Sequence, residues 1–467
     1  MDIDKRALEA IVRDPERLIF QNIEPRFLSD ILGRLTGKAE ALIFPVSTEE
    51  VSRILKFAHE NRIPVTPRGA GTNLVGSTVP EEGGIILDLS RMNRILELDK
   101  DTFTAVVEPG VLLCDFQAFV EKEGFFYPPD PGEKIASIGG NISTNAGGMR
   151  AVKYGVTRDY VRGLEIVLAD GTVLNAGSKN VKDASGLSIK NLIIGSEGTL
   201  AVITKCILKV IPKPETSVSV LVPFKDLKTG MENVLAILRA DANPTAVEFV
   251  ERKVIALGEE FMNFKYPRPD AGSYILLTFD GKKASVDASV QQVRALVTEN
   301  GALDYIVLED AFLADGIWKV RGALVKAVEA VSEQEPVDIV VPIDQSPSFI
   351  RYVNELERDT GMQMVSFGHA GDGNVHLCVV RGGRDEETWL RELKNNMKRV
   401  YAKAYELGGL TSGEHGIGIS KRPYFLHETA DENLFVMNRI KDALDPLHIL
   451  NNRKSYITGG EKHAEAI

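Results

Sequence analysis

The spacing of hydrophobic and polar residues predicts helices and strands in two different arrangements along the chain. In the first arrangement, a capping box of Ser47 and Glu50 opens a helix that ends near Asn61, because the apolar residues within it recur on one helix face. A second helix is predicted over residues 112–123. Alternating apolar runs predict strands in IILDLS, ILELD and TAVVEPG and a hairpin in LEIVLADGTVLNA. The β-branched run GSEGTLAVITKCILKVIP predicts the strand that closes this region.

The second arrangement begins at about residues 212–214. From there, strands such as SVSVLVPF, SYILLTF and MQMVSFGH alternate with amphipathic helices, which predicts an α+β fold. We expect a helical arm over residues 1–36, a first domain over 37–213, a second domain over 214–431 and a helical segment over 432–467. The final stretch, GGEKHAEAI, is expected to be a disordered tail.

The composition is that of a folded, water-soluble chain. Its 467 residues, of which 44% are hydrophobic, allow two or three domains at roughly 150 residues each. The 55 Lys and Arg against 66 Asp and Glu give a net charge of −11. Because no basic stripe offsets this charge, we expect no binding to nucleic acid or to an anionic membrane surface.

The sequence contains no pattern typical of a signal peptide, a membrane span or an iron–sulfur cluster. The N-terminus carries acidic residues without an apolar h-region, and no apolar run approaches the ~18 residues that span a bilayer. We therefore expect a cytoplasmic protein. The cysteines, Cys114, Cys206 and Cys378, have no CxxC spacing, which argues against a zinc ribbon or an iron–sulfur cluster. Redox chemistry in this chain would need another cofactor.

The glycines are concentrated in two stretches. Nineteen of the 41 lie between Gly69 and Gly198 and ten between Gly368 and Gly418, which indicates sharp turns or close backbone approach to a ligand. A turn-rich β domain is the alternative. The loop PRGAGTNLVG fits neither the dinucleotide fingerprint GxGxxG nor the P-loop pattern, so a nicotinamide or P-loop site is not supported.

Successive backbone N–H groups in this loop could instead form an anion-binding nest for a pyrophosphate, although a plain turn is the alternative. A second glycine-rich stretch, YPPDPGEKIASIGGNISTNAGGMR, is predicted to be a long functional loop and repeats the same chemistry. Two nests in one domain suit a dinucleotide. The candidate residues of the two nests are Gly69, Gly71, Thr72, Asn73, Gly76, Ser77, Ser137, Gly139, Gly140, Asn141, Thr144, Asn145, Gly147 and Gly148.

The ordered set PRGAGTN, PDPG with SIGGNISTNAGG, and GSEGTLAVIT resembles the FAD-binding domain of the vanillyl-alcohol oxidase (PCMH) type. The resemblance implies that the first loop cradles the FAD diphosphate, the second lines the flavin and the ribityl chain, and the strand near Glu197 meets the adenine half. It also implies a ferredoxin-like α+β substrate (cap) domain and a C-terminal segment that returns to the FAD domain. Beyond the nests, the implied FAD-binding residues are Pro67, Arg68, Ala70, Pro131, Glu197, Gly198, Ile203 and Asn451. Members with covalent flavin carry His or Cys in these loops, and neither loop does here, so noncovalent FAD is expected.

The second glycine stretch contains candidate metal ligands. SFGHAGDGNVHLCV carries His369 and His376, and TSGEHGIG carries Glu414 and His415. A strand–turn–strand would bring both imidazoles to one site, and Glu414 would complete a two-His, one-carboxylate face for a divalent ion such as Zn, Fe or Mn. A structural histidine pair is the alternative.

This constellation resembles the C-terminal domain of the FAD-linked D-2-hydroxyacid dehydrogenases, which act on D-lactate, glycolate or D-2-hydroxyglutarate. The resemblance implies that His369, His376 and Glu414 are metal ligands and that His415 is the base. The metal would lower the pKa of the substrate hydroxyl, His415 would take its proton, and the hydride would pass to flavin N5. Arg321 matches the substrate arginine of the family, with an ion-paired or solvated helix arginine as the alternative.

Two departures from the hydroxyglutarate enzymes favour a small monocarboxylate. Cys378 stands where those enzymes have Asn, and Pro336 aligns loosely with their lysine. We expect D-lactate as the first choice of substrate and glycolate, the substrate of a glycolate oxidase catalytic subunit, as the second. A noncatalytic flavin-carrying relay subunit and a nonredox, lyase-like use of FAD are the alternatives.

The electrons of reduced FAD need an acceptor outside this chain. The resemblance implies a partner such as electron-transferring flavoprotein or an iron–sulfur subunit. The pattern is particularly similar to the catalytic subunit of electron-bifurcating lactate dehydrogenase complexes, which uses electron-transferring flavoprotein.

Overall fold

The computed structural model describes residues 3–456, which form two compact units. Unit 1 comprises the chain up to Gly147, Val156–Lys213 and the chain from Glu414 onward. Unit 2 comprises Gly148–Gly155 and Pro214–Gly413. The chain thus returns to unit 1 at Glu414, whereas the predicted second domain extends to residue 431. The predicted tail GGEKHAEAI lies outside the described residues.

The elements up to Lys213 build most of unit 1. The helices are α1 (Lys5–Ile11), α2 (Pro25–Leu28), α3 (Thr48–Glu60), α4 (Leu113–Lys122), α5 (Ile138–Thr144), α6 (Ala151–Tyr154, in unit 2), α7 (Thr157–Tyr160) and α8 (Ile189–Ile193). The strands are β1 (Leu18–Ile19), β2 (Ala41–Ile43), β3 (Val65–Arg68), β4 (Ile85–Asp88), β5 (Ile95–Asp99), β6 (Thr104–Val107), β7 (Phe125–Phe126), β8 (Val161–Val167), β9 (Val173–Gly177), β10 (Val202–Lys209) and β11 (Ile211–Pro212).

Unit 1 contains a mixed sheet and an antiparallel sheet. The mixed sheet has the order β1-β2-β4-β3, in which β4 pairs in parallel with both β2 and β3. Parallel pairing requires a crossover, and α3 supplies it between β2 and β3. The antiparallel sheet has the order β5-β6-β10-β8-β9, and β8 and β9 form the predicted hairpin.

Helix α3 confirms the predicted amphipathic face and its N-terminal cap. The residues that this face buries are Val51, Ile54, Leu55 and Ala58. Ser47 Oγ accepts the backbone N–H of Glu50 at 3.2 Å. The Glu50 carboxylate accepts from the backbone N of Val46 at 2.9 Å and pairs with Arg17 at 2.6 Å. Glu50 therefore anchors the preceding arm to the start of the helix.

The second glycine-rich segment is not one continuous loop, and this prediction is wrong over residues 138–144. Helix α5 forms there because Ser137 Oγ accepts the backbone N–H of Gly140 at 3.3 Å as an N-cap. A Cβ at Gly139 would overlap Pro109, so only glycine allows this approach. Thr144 Oγ1 bonds back to Gly140 O at 3.3 Å. Glycine and β-branched residues lower helix propensity, which hid this helix in the sequence.

Unit 2 is built from one sheet and its helices. The strands are β12 (Thr216–Phe224), β13 (Ala246–Glu251), β14 (Ser273–Gly281), β15 (Ile306–Val307), β16 (Gln334–Val340), β17 (Met364–His369) and β18 (Asn374–Val380). The helices are α9 (Leu227–Arg239), α10 (Arg252–Met262), α11 (Lys283–Glu299), α12 (Ala311–Val331), α13 (Ser346–Thr360) and α14 (Glu386–Glu406).

The sheet of unit 2 has the order β15-β12-β14-β13-β17-β18-β16. Its first four strands in the chain therefore lie in the 4-1-3-2 order of a ferredoxin-like sheet, with α10 added between the second and third. The hairpin β17–β18 and strand β16 extend this sheet beyond β13. The predicted α+β arrangement is confirmed.

Helices α15 (Arg422–Glu428) and α16 (Asp431–Leu444) complete the part of unit 1 that the structure describes. After α16, the backbone N of Val65 in β3 donates to Ile449 O at 2.7 Å, and the N of Asn451 donates to Val65 O at 2.9 Å. The C-terminal segment thereby joins the edge of the mixed sheet. Within residues 3–456, no helix is both long and apolar enough to cross a membrane.

Candidate flavin and metal sites

The first predicted cofactor loop follows β3 and lies against the start of α5. Gly71 and Gly76 adopt φ values of 72° and 77°, which glycine reaches at little cost. A Cβ at Gly69 would overlap the Ser137 hydroxyl, and Ala70 N donates to Ser137 Oγ at 3.3 Å. Glycine at these positions therefore lets the loop turn sharply and approach the start of α5 closely.

Two polar side chains of this loop, Asn73 and Arg68, are bonded within the protein. Asn73 Oδ1 accepts from the backbone N–H groups of Val75 and Ser77, both at 3.0 Å. Its amide donates to the backbone O of His415 at 3.1 Å. Arg68 is buried and donates to Arg26 O at 2.8 Å. Asn73 thus fixes the backbone of the predicted base within unit 1.

Glu197 connects three chain segments of unit 1. It is buried and has a φ of 52°, a conformation that is uncommon outside glycine. Its Oε1 accepts from Ser77 Oγ at 2.5 Å and from Gly418 N at 3.0 Å, and its Oε2 accepts from Ile417 N at 3.1 Å. Its backbone N donates to Ser143 O at 2.8 Å. Its carboxylate therefore holds the first loop and the 417–418 segment, and its backbone bonds the last turn of α5.

The C-terminal segment reaches the same cluster. Asn451 Nδ2 donates to Ser77 O at 2.9 Å and to Glu197 O at 2.7 Å. Lys454 Nζ donates to Ser77 O at 3.0 Å and to Asn451 Oδ1 at 2.5 Å. Burial lowers the pKa of Lys454 to about 7, although nearby Glu81 and Glu197 oppose the shift. Lys454 was not among the residues predicted from the sequence, in which its only signal is its place at the end of NNRK.

The structure brings many of the predicted FAD residues together in unit 1. Those joined by the contacts above, or by Gly198 packing on Pro67, are Pro67, Gly69, Ala70, Asn73, Ser77, Ser137, Gly140, Glu197, Gly198 and Asn451. The other predicted residues of unit 1 are Arg68, Gly71, Thr72, Gly76, Pro131, Gly139, Asn141, Thr144, Asn145, Gly147 and Ile203. Gly148 begins the short segment of unit 2.

The two predicted metal histidines lie on one hairpin of unit 2. His369 ends β17 and His376 lies on β18, so the strand–turn–strand prediction is confirmed. Their Nε2 atoms are 3.4 Å apart, and their rings are perpendicular. Two imidazole nitrogens that each lie ~2.1 Å from a tetrahedral Zn²⁺ are also about 3.4 Å apart. The pair therefore fits a metal ion.

A buried carboxylate lies beside Nδ1 of each histidine. Glu248 Oε1 is 2.6 Å from His369 Nδ1, and Asp338 Oδ1 is 3.9 Å from His376 Nδ1. Burial alone would raise the pKa of Glu248, but its interactions with His369 and Arg321 outweigh burial and lower this pKa to about 2. Neither carboxylate was among the residues predicted from the sequence. Their only signal is an acidic residue inside an apolar strand run, where a charge needs a partner.

Arg321 on α12 is ion-paired. Its Nε and Nη2 donate to Glu248 Oε2 at 2.9 and 2.5 Å, and its guanidinium lies 5.1 Å from the centre of the Phe367 ring. The side chain is nine-tenths buried. Arg321 is therefore an ion-paired residue in this structure, which was the alternative interpretation. Its Nη1 atom takes no part in the two bonds to Glu248.

Glu414 and His415 belong to unit 1. Glu414 directly follows Gly413, whose backbone N donates to Asp338 Oδ2 at 3.1 Å. His415 Nε2 lies 3.7 Å from Glu414 Oε1. A Cβ at Gly147 would come within 3.0 Å of Glu414 Oε2, so the predicted second nest touches this carboxylate.

Family models match both parts of the chain. Residues 39–177 match the FAD binding domain, and residues 213–455 match the C-terminal domain of FAD linked oxidases. The chain belongs to the FAD-linked oxidase family and is an FAD-dependent oxidoreductase. The predicted resemblance is confirmed.

Curated relatives narrow the family further. A D-lactate dehydrogenase of Anaerostipes hadrus is 42% identical over 94% of both chains. The glycolate oxidase subunit GlcD of Bacillus subtilis is 36% identical over 91% of both chains. A D-lactate dehydrogenase of Archaeoglobus fulgidus is 37% identical over 88% of this chain and 90% of that protein.

Solved structures show the same fold at low identity. p-Cresol methylhydroxylase superposes with a TM-score of 0.80 at 16% identity, covering 97% of this chain and 96% of the other. An alkyldihydroxyacetonephosphate synthase has a TM-score of 0.75 at 18% identity, covering 97% and 86%. These matches confirm the predicted vanillyl-alcohol oxidase (PCMH) type of fold.

Proposed function

We propose that this chain oxidises a small D-2-hydroxy acid, D-lactate first, to the 2-oxo acid, using noncovalent FAD and a divalent cation. The observation that carries the proposal is the histidine pair of unit 2, whose Nε2 atoms are 3.4 Å apart and whose Nδ1 atoms face buried carboxylates. The names of the D-lactate dehydrogenases at 42% and 37% identity support the substrate.

The protein groups have separate tasks in this proposal. FAD, when bound, supplies the two-electron acceptor at flavin N5. A divalent cation such as Fe, Zn or Mn supplies a Lewis acid for the carboxylate and hydroxyl oxygens of the substrate. His369, His376 and Glu414 hold the cation, and His415 takes the hydroxyl proton. Asn73 helps to hold the backbone of His415 in place.

The residues of unit 2 favour a substrate with one carboxylate. Strand register places Pro336 of β16 opposite Cys378 of β18. Cys378 is buried, and burial together with the nearby Glu329 raises the pKa of its thiol to about 12, so it stays neutral. Neither residue offers a charge or a strong donor to a second carboxylate. Arg321, through Nη1, is the candidate cation for the first carboxylate.

Glycolate is the second candidate substrate, because GlcD of B. subtilis is 36% identical to this chain. For the electrons we propose a protein acceptor, either electron-transferring flavoprotein or an iron–sulfur subunit, and for the protein a cytoplasmic location. A noncatalytic relay subunit would carry FAD without needing His415.

Anaerobic titration of the FAD-loaded protein with D-lactate, L-lactate and glycolate tests this proposal, with visible flavin absorbance as the readout. D-lactate is expected to bleach the flavin, and a chelator is expected to slow this reduction. His415→Asn is expected to lower the reduction rate by about 10²–10⁴-fold while FAD and metal contents stay unchanged. The matched control is His427→Asn, because His427 is an exposed histidine of unit 1 bonded to Glu428 at 3.1 Å.

Absence of bleaching by every 2-hydroxy acid, with FAD and metal bound, would refute the oxidation. An unchanged rate of flavin reduction in His415→Asn would show that His415 is not the base. FAD that stays oxidised with all three acids would instead support the relay subunit. Bleaching by glycolate alone would favour the glycolate oxidase alternative.

A further inference from the structure

Glu248 is a fully buried carboxylate whose two oxygens have different partners. Oε1 lies 2.6 Å from His369 Nδ1, and Oε2 accepts from Arg321 Nε at 2.9 Å and Nη2 at 2.5 Å. The antiparallel register of β13 and β17 sets Glu248 directly opposite His369. Helix α12 brings Arg321 to the same carboxylate. The arrangement is therefore set by the sheet and a long helix.

The bond to His369 decides which nitrogen of the ring can bind a cation. A carboxylate at Nδ1 accepts the Nδ1–H, so that the lone pair lies on Nε2. His369 Nε2 is the atom that lies 3.4 Å from His376 Nε2. Glu248 thus fixes both the tautomer and the orientation that a ligand histidine needs.

The same carboxylate orients Arg321. Two donors that converge on Oε2 hold the guanidinium plane, and the centre of the Phe367 ring lies 5.1 Å from the guanidinium carbon. This geometry leaves Nη1 as the guanidinium nitrogen that can serve a further acceptor. A change at Glu248 would therefore reach a metal ligand and the candidate substrate cation together.

Asp338 is placed differently beside the other histidine. Its oxygens accept from Asn374 Nδ2 at 2.7 Å, Ser412 Oγ at 2.8 Å and Gly413 N at 3.1 Å. Its distance to His376 Nδ1 is 3.9 Å, beyond the usual hydrogen-bond range. Of these two carboxylate–imidazole contacts, the one made by Glu248 is the closer.

We infer that Glu248 is a positioning residue that couples the metal ligand His369 to Arg321. The inference rests on the proposed function, because it takes His369 as a ligand. It adds a residue that acts through two others and touches neither substrate nor cation.

Cobalt binding tests the inference without an activity assay. Co²⁺ is added to metal-free, FAD-loaded protein, and its visible ligand-field absorption and its affinity against a competing chelator are measured. Glu248→Gln is expected to weaken Co²⁺ binding by about 10–100-fold and to alter the spectrum, because an amide cannot accept from His369 and Arg321 at once. The KM for D-lactate is expected to rise in the same variant.

The matched control is Glu251→Gln on the same strand. Glu251 is also a buried carboxylate, but it bonds to Ser366 Oγ and to Asn354 Nδ2. Glu251→Gln is expected to keep wild-type Co²⁺ affinity and spectrum. If Glu248→Gln does not fold, Glu248→Asp against Glu251→Asp makes the same comparison, since the shorter acid draws the oxygens away from His369.

The outcomes separate the inference from the proposed function. His376→Ala is expected to abolish Co²⁺ binding, which shows that the ion binds at the histidine pair. If it does, wild-type Co²⁺ affinity and spectrum in Glu248→Gln would overturn the inference. Where only Glu248→Asp folds, the same result in that variant would overturn it. Failure of the wild-type protein to bind Co²⁺, with turnover unaffected by chelator, would refute the metal site and the inference with it.

Discussion

Two buried glutamates organise the candidate sites, and they do so with partners of different kinds. Glu197 in unit 1 accepts from one hydroxyl and two backbone N–H groups. Glu248 in unit 2 accepts from an arginine and lies beside an imidazole nitrogen. Because two of its donors are backbone N–H groups, Glu197 holds the backbone of the 417–418 segment in place. Glu248 instead orients the side chains of His369 and Arg321. The first arrangement suits a cofactor held by backbone, and the second suits ligands that must point at one atom.

Removing the Glu197 carboxylate is expected to give the largest effect on the flavin site. Glu197→Ala would leave three buried donors without this acceptor, which costs stability. Because these bonds hold the predicted cofactor loop in place, the variant should lose preorganisation for FAD, and the dissociation constant should rise by about 100-fold. Glu197→Gln retains one acceptor oxygen and should lose about tenfold. Reconstitution of apoprotein with FAD, followed by flavin fluorescence, measures both constants.

Two variants make this prediction specific to Glu197. Glu165→Gln changes another glutamate of unit 1, which bonds to Thr48 and Lys205, and it should leave FAD affinity unchanged. Glu248→Gln should also retain FAD affinity, because the bonds described for it stay within unit 2. Wild-type FAD affinity in Glu197→Gln would show that the Glu197 carboxylate does not shape the flavin site.

The protonation state of Lys454 tests whether the Glu197 carboxylate is surrounded by neutral donors alone. Its three donors described above are a hydroxyl and two backbone N–H groups, and Lys454 lies nearby. Burial lowers the pKa of Lys454 to about 7 from 10.5, so between these values the unfolded chain binds the additional proton. The free energy of unfolding should therefore rise with pH across this window, by up to ~1.4 kcal/mol per pH unit. Lys454→Met should lose this contribution, and urea unfolding from pH 6 to pH 9 measures the difference.

The exposed Lys100, which pairs with Glu123 at 2.7 Å, supplies the control. Lys100→Met should give a curve parallel to that of the wild type. A parallel curve for Lys454→Met would mean that Lys454 stays charged in the folded protein, and the Glu197 cluster would then resemble the charged one around Glu248.

The sequence predicted the features that depend on local pattern. Helix α3 and its Ser47 cap, the hairpin β8–β9 and the hairpin that carries His369 and His376 follow from residue spacing and turn chemistry. The ordered glycine motifs were specific enough to indicate the FAD-binding fold. These signals are local or occur in a fixed order, so no knowledge of strand pairing is needed to find them.

The missed features depend on contacts that are distant in the chain. Glu248 lies 121 residues from His369, and only strand register brings them together. Lys454 lies 377 residues from Ser77. Helix α5 forms against its own glycine content because Ser137 caps it and Pro109 packs on Gly139. Tertiary packing overrode local propensity in this helix.

The smallest expected effect comes from the N-terminal cap of helix α3, because Ser47 bonds to neither Glu197 nor Glu248. Ser47→Ala removes the bond to Glu50 N at 3.2 Å and should cost about 1 kcal/mol, which lowers the thermal midpoint by about 2 °C. Ser285→Ala, on the exposed face of α11, should cost nothing. Scanning calorimetry measures both shifts, and FAD affinity should be unchanged in both variants. If Ser47→Ala weakened FAD binding as much as Glu197→Gln does, the loss would follow from destabilising unit 1 in general, and the special role of the Glu197 bonds would have to be abandoned.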